Sequence, residues 1–183
     1  MTTTFSGRRA LVAAFCFSIS ACTTAIPFNY APSNLTQGSG AVRVAQFTYP
    51  PALKGEVEPN EMQKNHPSIG TLLLRQNIDQ VVADALRKEL RLSGYSLSSA
   101  SRVVSGSIDR FYIDWVGFTT IDVEITISFT VTSAGSRAYS AAFHSHKQAP
   151  KSDLGTDTEA IKETLADCLH QFIRDAQSRG ALR

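Results

Sequence analysis

The sequence predicts an α+β fold, a two-layer sandwich in which a mostly antiparallel sheet of four to five strands carries two amphipathic helices on one face, in the order β-α-β-β-β-β-α. Three observations lead there. Residues 120–132 alternate without a break, with Ile121, Val123, Ile125, Ile127, Phe129 and Val131 set against polar neighbours, the period of a sheet with one packed and one wet face. Two segments, 77–93 and 157–179, repeat apolar residues at spacings of three and four, which builds one apolar helix face. Their apolar faces need a common layer to cover, and the sheet supplies it.

The elements follow in order. Val42, Val44 and Phe47 suggest a short strand over 41–49, ended by Pro50-Pro51. Residues 51–74, rich in Pro, Gly, Lys, Glu and Asn, read as a long disordered surface insertion, with a functional or mobile loop as the alternative. The first helix, 77–93, has Ile78, Val81, Val82, Ala85, Leu86 and Leu90 inside, Asn77 with Gln80 as an N-cap pair, and Gly94 as its stop. A short strand is expected over 95–98 and a long one over 102–116. In the long strand Val104 and Ile108 are even-numbered while Phe111, Ile113 and Trp115 are odd, so keeping one face buried requires an extra residue, a bulge near Asp109 or Arg110. Gly135 lies in the turn that joins the 120–132 strand to 137–148 as a hairpin. The capping box Thr156-Asp157-Thr158-Glu159 announces the last helix, with Ile161, Leu165, Cys168, Leu169, Phe172 and Ala176 on its inner face.

Ahead of the domain lies an export signal. Arg8 and Arg9 precede an apolar run from Ala10 to Ile19, about ten residues where a bilayer span needs about twenty. The run ends in Ile19-Ser20-Ala21-Cys22, which resembles a bacterial lipoprotein cleavage site whose cysteine becomes the lipidated first residue. The chain therefore divides into a signal peptide (1–21), a lipidated flexible tether (22–40) with a reach of about 20 to 25 Å, and a single periplasmic α+β domain (41–183). By resemblance to such lipoproteins, Cys22 receives a diacylglycerol and an amide-linked acyl chain, and Thr23 in place of an aspartate points to the outer membrane.

Charge and cysteine content limit the functions available. Of eighteen basic side chains Arg8 and Arg9 fall in the leader, so the mature chain carries sixteen of each sign. That balance argues against nucleic acid as a partner. Cys16 leaves with the signal and Cys22 is consumed by lipid, which leaves Cys168 as a small core residue on a helix. His144 and His146 share the polar face of the hairpin. If Val131 faces Tyr139 across a three-residue turn, Glu124 lies opposite His146 and Thr126 opposite His144. Two imidazoles and a carboxylate suit Zn²⁺, though solvated strand histidines are more often structural, and no metal or cofactor is assigned. Trp115, Val116, Gly117 and Phe118 read as core filling, with a partner or lipid contact as the alternative. No Gly-x-Ser-x-Gly, His-Glu-x-x-His or phosphate-cradling loop occurs, so a non-enzymatic protein is expected.

With the signal sequence, three segments carry a family resemblance. They are Leu86-Arg87-Lys88-Glu89-Leu90-Arg91-Leu92-Ser93-Gly94-Tyr95, the strand entry Val104-Ser105-Gly106, and the alternating run from Ile121 to Val131 before a terminal amphipathic helix. Together they resemble the YajG-like family of small bacterial lipoproteins over residues 42–182. The arrangement is also similar to that of auxiliary lipoproteins of envelope lipid transport and of the lipopolysaccharide-assembly lipoprotein within an outer-membrane barrel. The resemblance implies an outer-membrane lipoprotein whose periplasmic domain binds a protein or lipid partner in envelope maintenance or transport. The alternative it leaves open is an accessory subunit of a dedicated transport or secretion machine.

Overall fold

The computed structural model describes residues 24–33, 36–65, 71–98, 101–117, 119–150 and 154–183. Its elements are β1 (Thr24–Ile26), β2 (Arg43–Thr48), α1 (Pro50–Leu53), β3 (Leu72–Leu74), α2 (Ile78–Leu92), β4 (Arg102–Val116), β5 (Thr120–Ser133), β6 (Ser136–Pro150) and α3 (Leu154–Ser178). The main sheet runs β2-β4-β5-β6, with β2 parallel to β4 and the other neighbours antiparallel. β1 and β3 form a separate parallel pair. The α+β sandwich read from the pattern is the fold of the protein.

The period-two run of β5 gives the expected result, with each of its odd-numbered residues from Ile121 to Val131 buried. β4 changes parity where the sequence requires, because Ile108 pairs with Ile127 and Arg110 with Thr126, leaving Asp109 as the extra residue. That bulge returns Phe111 and Ile113 to the core. In the hairpin Val131 does face Tyr139, but the three-residue turn is corrected. Ser133 pairs with Ser136 around a two-residue turn, Ala134-Gly135, with φ of 48° and 82°. Such double left-handed turns match the strand twist, and the residue count is made up by a second irregularity between Val131 and Thr132, which leaves Ala138 unpaired in β6. β6 is an edge strand whose other side carries no partner among the described residues.

α2 ends with Tyr95 N–H donating to the Leu90 carbonyl and Gly94 N–H to that of Arg91, a Schellman closure. α3 ends in the same way at Ala181 and Gly180. Several sequence expectations need revision at the ends of elements. Asn77 occupies the N-cap of α2, yet its side chain makes no capping bond. α3 starts at Leu154, so Thr156-Asp157-Thr158-Glu159 lies within the helix instead of capping it. Residues 95–98 form only an isolated bridge, Ser96 with Ala41.

The described part of 51–74 is also more ordered than its composition suggests. Met62 is buried, Gln63 bridges to Tyr112, and Leu74 N–H donates to the Asn60 carbonyl. Gln63 thus extends the sheet beyond the bulge: its N–H donates to Phe111 O, and its carbonyl accepts from Ile113 N–H.

α3 lies across β5 and β6, with Phe172 stacked on Phe129 (centroids 4.1 Å apart, planes within 7°). At the other side of the core, the Phe47 ring meets Phe129 edge-on at 5.9 Å and closes over Gly106. A methyl group at Gly106 would stand 2.5 Å from Phe47 Cε1 and 2.6 Å from the Ser128 carbonyl oxygen. Because one obstacle is backbone, the strain cannot be relieved by a rotamer change. Gly106→Ala is expected to cost about 1 to 3 kcal/mol, and urea denaturation should show a lower midpoint with an unchanged slope.

Candidate functional site

Two polar constellations stand out, one on the wet face of the sheet and one buried between α2, α3 and the segment that precedes β2. The strand register places Glu124 opposite His146 and Thr126 opposite His144, as the sequence implied. The side chains then divide differently from the expected donor set. His144 Nδ1 lies 3.0 Å from Thr126 Oγ1, whereas His146 Nε2 reaches diagonally to Asp122 Oδ1 at 2.5 Å. The group able to converge on a metal is Asp122, Glu124 and His146, whose ligand atoms all lie within 4.8 Å of one another. His144 is not part of it.

One imidazole and two carboxylates would suit Zn²⁺ chemically. Each donor is already engaged, however. Glu124 is ion-paired with Arg110, whose guanidinium carbon also sits 4.0 Å over the Tyr112 ring, and a cation would have to displace that arginine. Asp114, directly across from Asp122, accepts from Tyr112 OH at 2.7 Å and from Trp115 N–H at 2.8 Å. Burial, and then the bond to Asp114, push the Tyr112 phenol above its ordinary range. The geometry is that of a cross-strand charge network.

The second constellation corrects the reading of 22–40 as a flexible tether. β1 begins at Thr24, pairs with β3, and leads into Ile26, Phe28 and Tyr30, all buried. Tyr30 OH donates to Glu89 Oε1, which also accepts from Ser33 N–H at 3.1 Å. Lys88 Nζ donates to the Tyr30 carbonyl at 2.9 Å. His170 of α3 brings Nε2 to 3.2 Å from the same Glu89 oxygen. That ring nitrogen makes no hydrogen bond, so the contact is one of charge, effective when the imidazole is protonated. Glu89 itself is wholly buried. Burial first, and then Glu89, raise the Tyr30 phenol well above its ordinary value.

Further on, Gly38 N–H donates to Ser93 O at 2.7 Å, and Val42 N–H to Ser96 O at 2.9 Å. The described part of 24–40 is therefore a strap along α2. Two signals in the sequence could have found it: the period-two spacing of Ile26, Phe28 and Tyr30, and a glutamate on the apolar side of a helix.

Grooves open on both sides of the exposed ridge of α2. One, of about 390 Å³, lies toward Phe28 and Tyr30 and includes Lys88. The other, of about 380 Å³, lies toward Val42, Arg43 and Val44. Arg87 and Arg91 line both. A polar cavity of about 530 Å³ sits at the C-terminal ends of the two long helices, among Gln37, Gly38, Tyr95, Arg174, Gln177 and Arg183.

Cys168 is buried, its thiol directed at the Phe143 carbonyl (3.5 Å), and burial pushes its pKa up to about 12. A thiol so held is unreactive. A Cys16→Ser, Cys22→Ser chain, in which Cys168 is the one thiol, is expected to release no colour from a disulfide reagent at neutral pH and one equivalent after unfolding; prompt native reaction would contradict the buried placement. Trp115 packs partly against the core, whereas Val116 is 48% exposed, so the core-filling reading holds for the former alone. Phe118, Cys16 and the lipidation candidate Cys22 lie outside the described residues.

No family model matches the sequence, and no curated protein matches it. Solved structures do match in fold. The chain is similar to protein XCC0632 from Xanthomonas campestris, of family DUF330, at 12% identity and TM-score 0.64, covering 86% of this chain and 96% of that one. It is similar to the hypothetical protein CT253 from Chlamydia trachomatis at 11% identity and TM-score 0.53, covering 79% and 98%. Rare lipoprotein B from Shewanella oneidensis superposes at 11% identity and TM-score 0.45, covering 76% and 96%, a likeness too low to carry an argument. At these identities the comparisons establish a shared fold. Among the described residues no helix is long and apolar enough to cross a membrane.

Proposed function

We propose that this protein is an outer-membrane lipoprotein, anchored by acyl chains on Cys22, whose periplasm-facing domain binds a protein or lipid partner in envelope maintenance or transport without catalysing a reaction. The carrying observation is Ile19-Ser20-Ala21-Cys22 at the end of a short apolar run behind Arg8-Arg9. A YajG-like assignment is the finer form of this reading and rests on the three segments quoted for it. Among the described residues the groups that could react are already engaged, which supports a binding role: the Cys168 thiol is buried and protonated, Asp122 is held by His146, and Glu124 by Arg110.

Several acyl chains make release negligible at about 0.8 kcal/mol per buried methylene. Mass spectrometry of the mature N-terminus is expected to find Cys22 as the first residue carrying a thioether diacylglycerol and an amide-linked acyl chain. Cys22→Ser should abolish incorporation of labelled palmitate completely. An unmodified Cys22 or Thr23 at the N-terminus would overturn the anchor.

A further inference from the structure

We propose that the exposed ridge of α2, with the two grooves beside it, is a docking surface for an anionic bilayer, and that the domain lies on its own membrane through this face. The proposal rests on the anchoring of Cys22 and adds an orientation to it.

The first observation is the missing slack. Thr24, the first described residue, is already part of β1, and one residue, Thr23, lies between it and Cys22, a span of at most about 7 Å. The strap from β1 onward is held to the domain by the Glu89, Lys88 and Ser93 contacts. A chain fastened in this way cannot hold its domain clear of the lipid, so some face of the domain meets the headgroups.

The second observation identifies the face. Asp84, Arg87, Lys88 and Arg91 follow the three-and-four spacing that places them along one side of α2, and Arg43 of β2 stands across the adjoining groove. Four cations face one carboxylate, Asp84, which Arg87 already holds at 2.6 Å. Arg43, Lys88 and Arg91 are exposed, and Leu92 beside them is 46% exposed. This local excess is notable in a mature chain with equal numbers of both signs.

The third observation is continuity. The groove containing Lys88 and Arg91 is walled on its other side by Phe28, Asn29 and Tyr30, the same strap that descends from the anchor. The basic ridge therefore lies beside the segment by which the chain enters the domain. Cations with an adjoining apolar side chain suit a surface of phosphate headgroups above acyl chains, and each basic residue near such a surface improves binding by about fivefold.

The test uses the mature lipidated protein reconstituted into vesicles of phosphatidylcholine, alone or mixed with phosphatidylglycerol, each containing a lipid-borne quencher. Leu92→Cys accepts a fluorophore, since Cys168 is buried and Cys22 acylated. Val116→Cys, on a surface residue at the end of β4, is the reference position. Quenching is expected at position 92 and not at 116, only in the anionic vesicles, and it should disappear near 1 M salt, where the screening length falls to about 3 Å. Arg43→Gln with Arg91→Gln should weaken the quenched population by about fivefold per charge; these two side chains make none of the strap contacts, so the fold is retained. Equal quenching at both positions, or none at 92 in anionic vesicles, would overturn the docking surface. If the wild-type chain fails to float with neutral vesicles, the anchor itself is overturned, and the orientation with it.

Discussion

Phe172→Ala is expected to lower the stability of the domain by about 3 to 5 kcal/mol. For a chain of this size, each kcal/mol moves the melting temperature by about 2 to 4 °C, so calorimetry should find a fall of about 6 to 20 °C. The reason is positional. Phe172 stacks on Phe129 and approaches Tyr139 at 6.1 Å and Phe143 at 6.4 Å, so one ring joins α3 to both β5 and β6. Its removal leaves a void that the sheet, pinned by its ladder of hydrogen bonds, is poorly able to fill. Phe172→Leu keeps most of the apolar volume and should lose markedly less. A change in Phe172→Ala no larger than that of a surface substitution would mean that α3 is not held by this stack.

The second large effect concerns Glu89. Glu89→Ala removes the shared acceptor of Tyr30 OH and Ser33 N–H and the carboxylate that stands 3.2 Å from His170 Nε2. Breaking a buried polar cluster by deleting its anion costs about 3 to 5 kcal/mol, because the remaining donors stay away from water with nothing to bind. Here the loss has a local outlet, since residues 24–33 can detach from α2 and rehydrate. Hydrogen exchange should therefore accelerate strongly over 26–33 while the amides of β4 and β5 keep most of their protection. Glu89→Gln retains a carbonyl acceptor and should fall between wild type and alanine. Uniform acceleration across the whole domain would show that Glu89 supports the core as a unit and is not a lock for the strap.

The contrast between what the sequence disclosed and what it concealed has a physical basis. β5 and its register with β6 were legible because strict alternation leaves one way to bury a face, and the bulge at Asp109 followed from the parity change between Ile108 and Phe111. Those same rules placed Glu124 across from His146. They could not say that His146 would turn to Asp122, because a side chain's diagonal reach is decided by local electrostatics and rotamer, with Arg110 already claiming Glu124. The strap and the described part of the 51–74 segment were missed because their order comes from tertiary contacts. Phe28, Met62 and Gln63 are fixed by docking onto α2 or β4, and segments rich in Pro and Gly show little periodicity of their own. Ile26, Phe28 and Tyr30 did alternate, but over too few residues to outweigh the surrounding polar composition.

β6 has a consequence for how copies of this protein behave toward one another. Fifteen residues long and paired on one side, such a strand is a template on which another chain could continue the sheet, the usual seed of aggregation. Here the ladder is broken near one end by the unpaired Ala138 and stopped at the other by Pro150, which has no N–H to give. Arg137 is exposed near that broken end, while α3 braces the strand's inner face through Tyr139 to Asp175, Ser145 to Asp167 and Lys147 to Glu163. At high local concentration, neighbouring molecules would thus present interrupted edges to each other, and the side of the sheet that is open among the described residues can remain open.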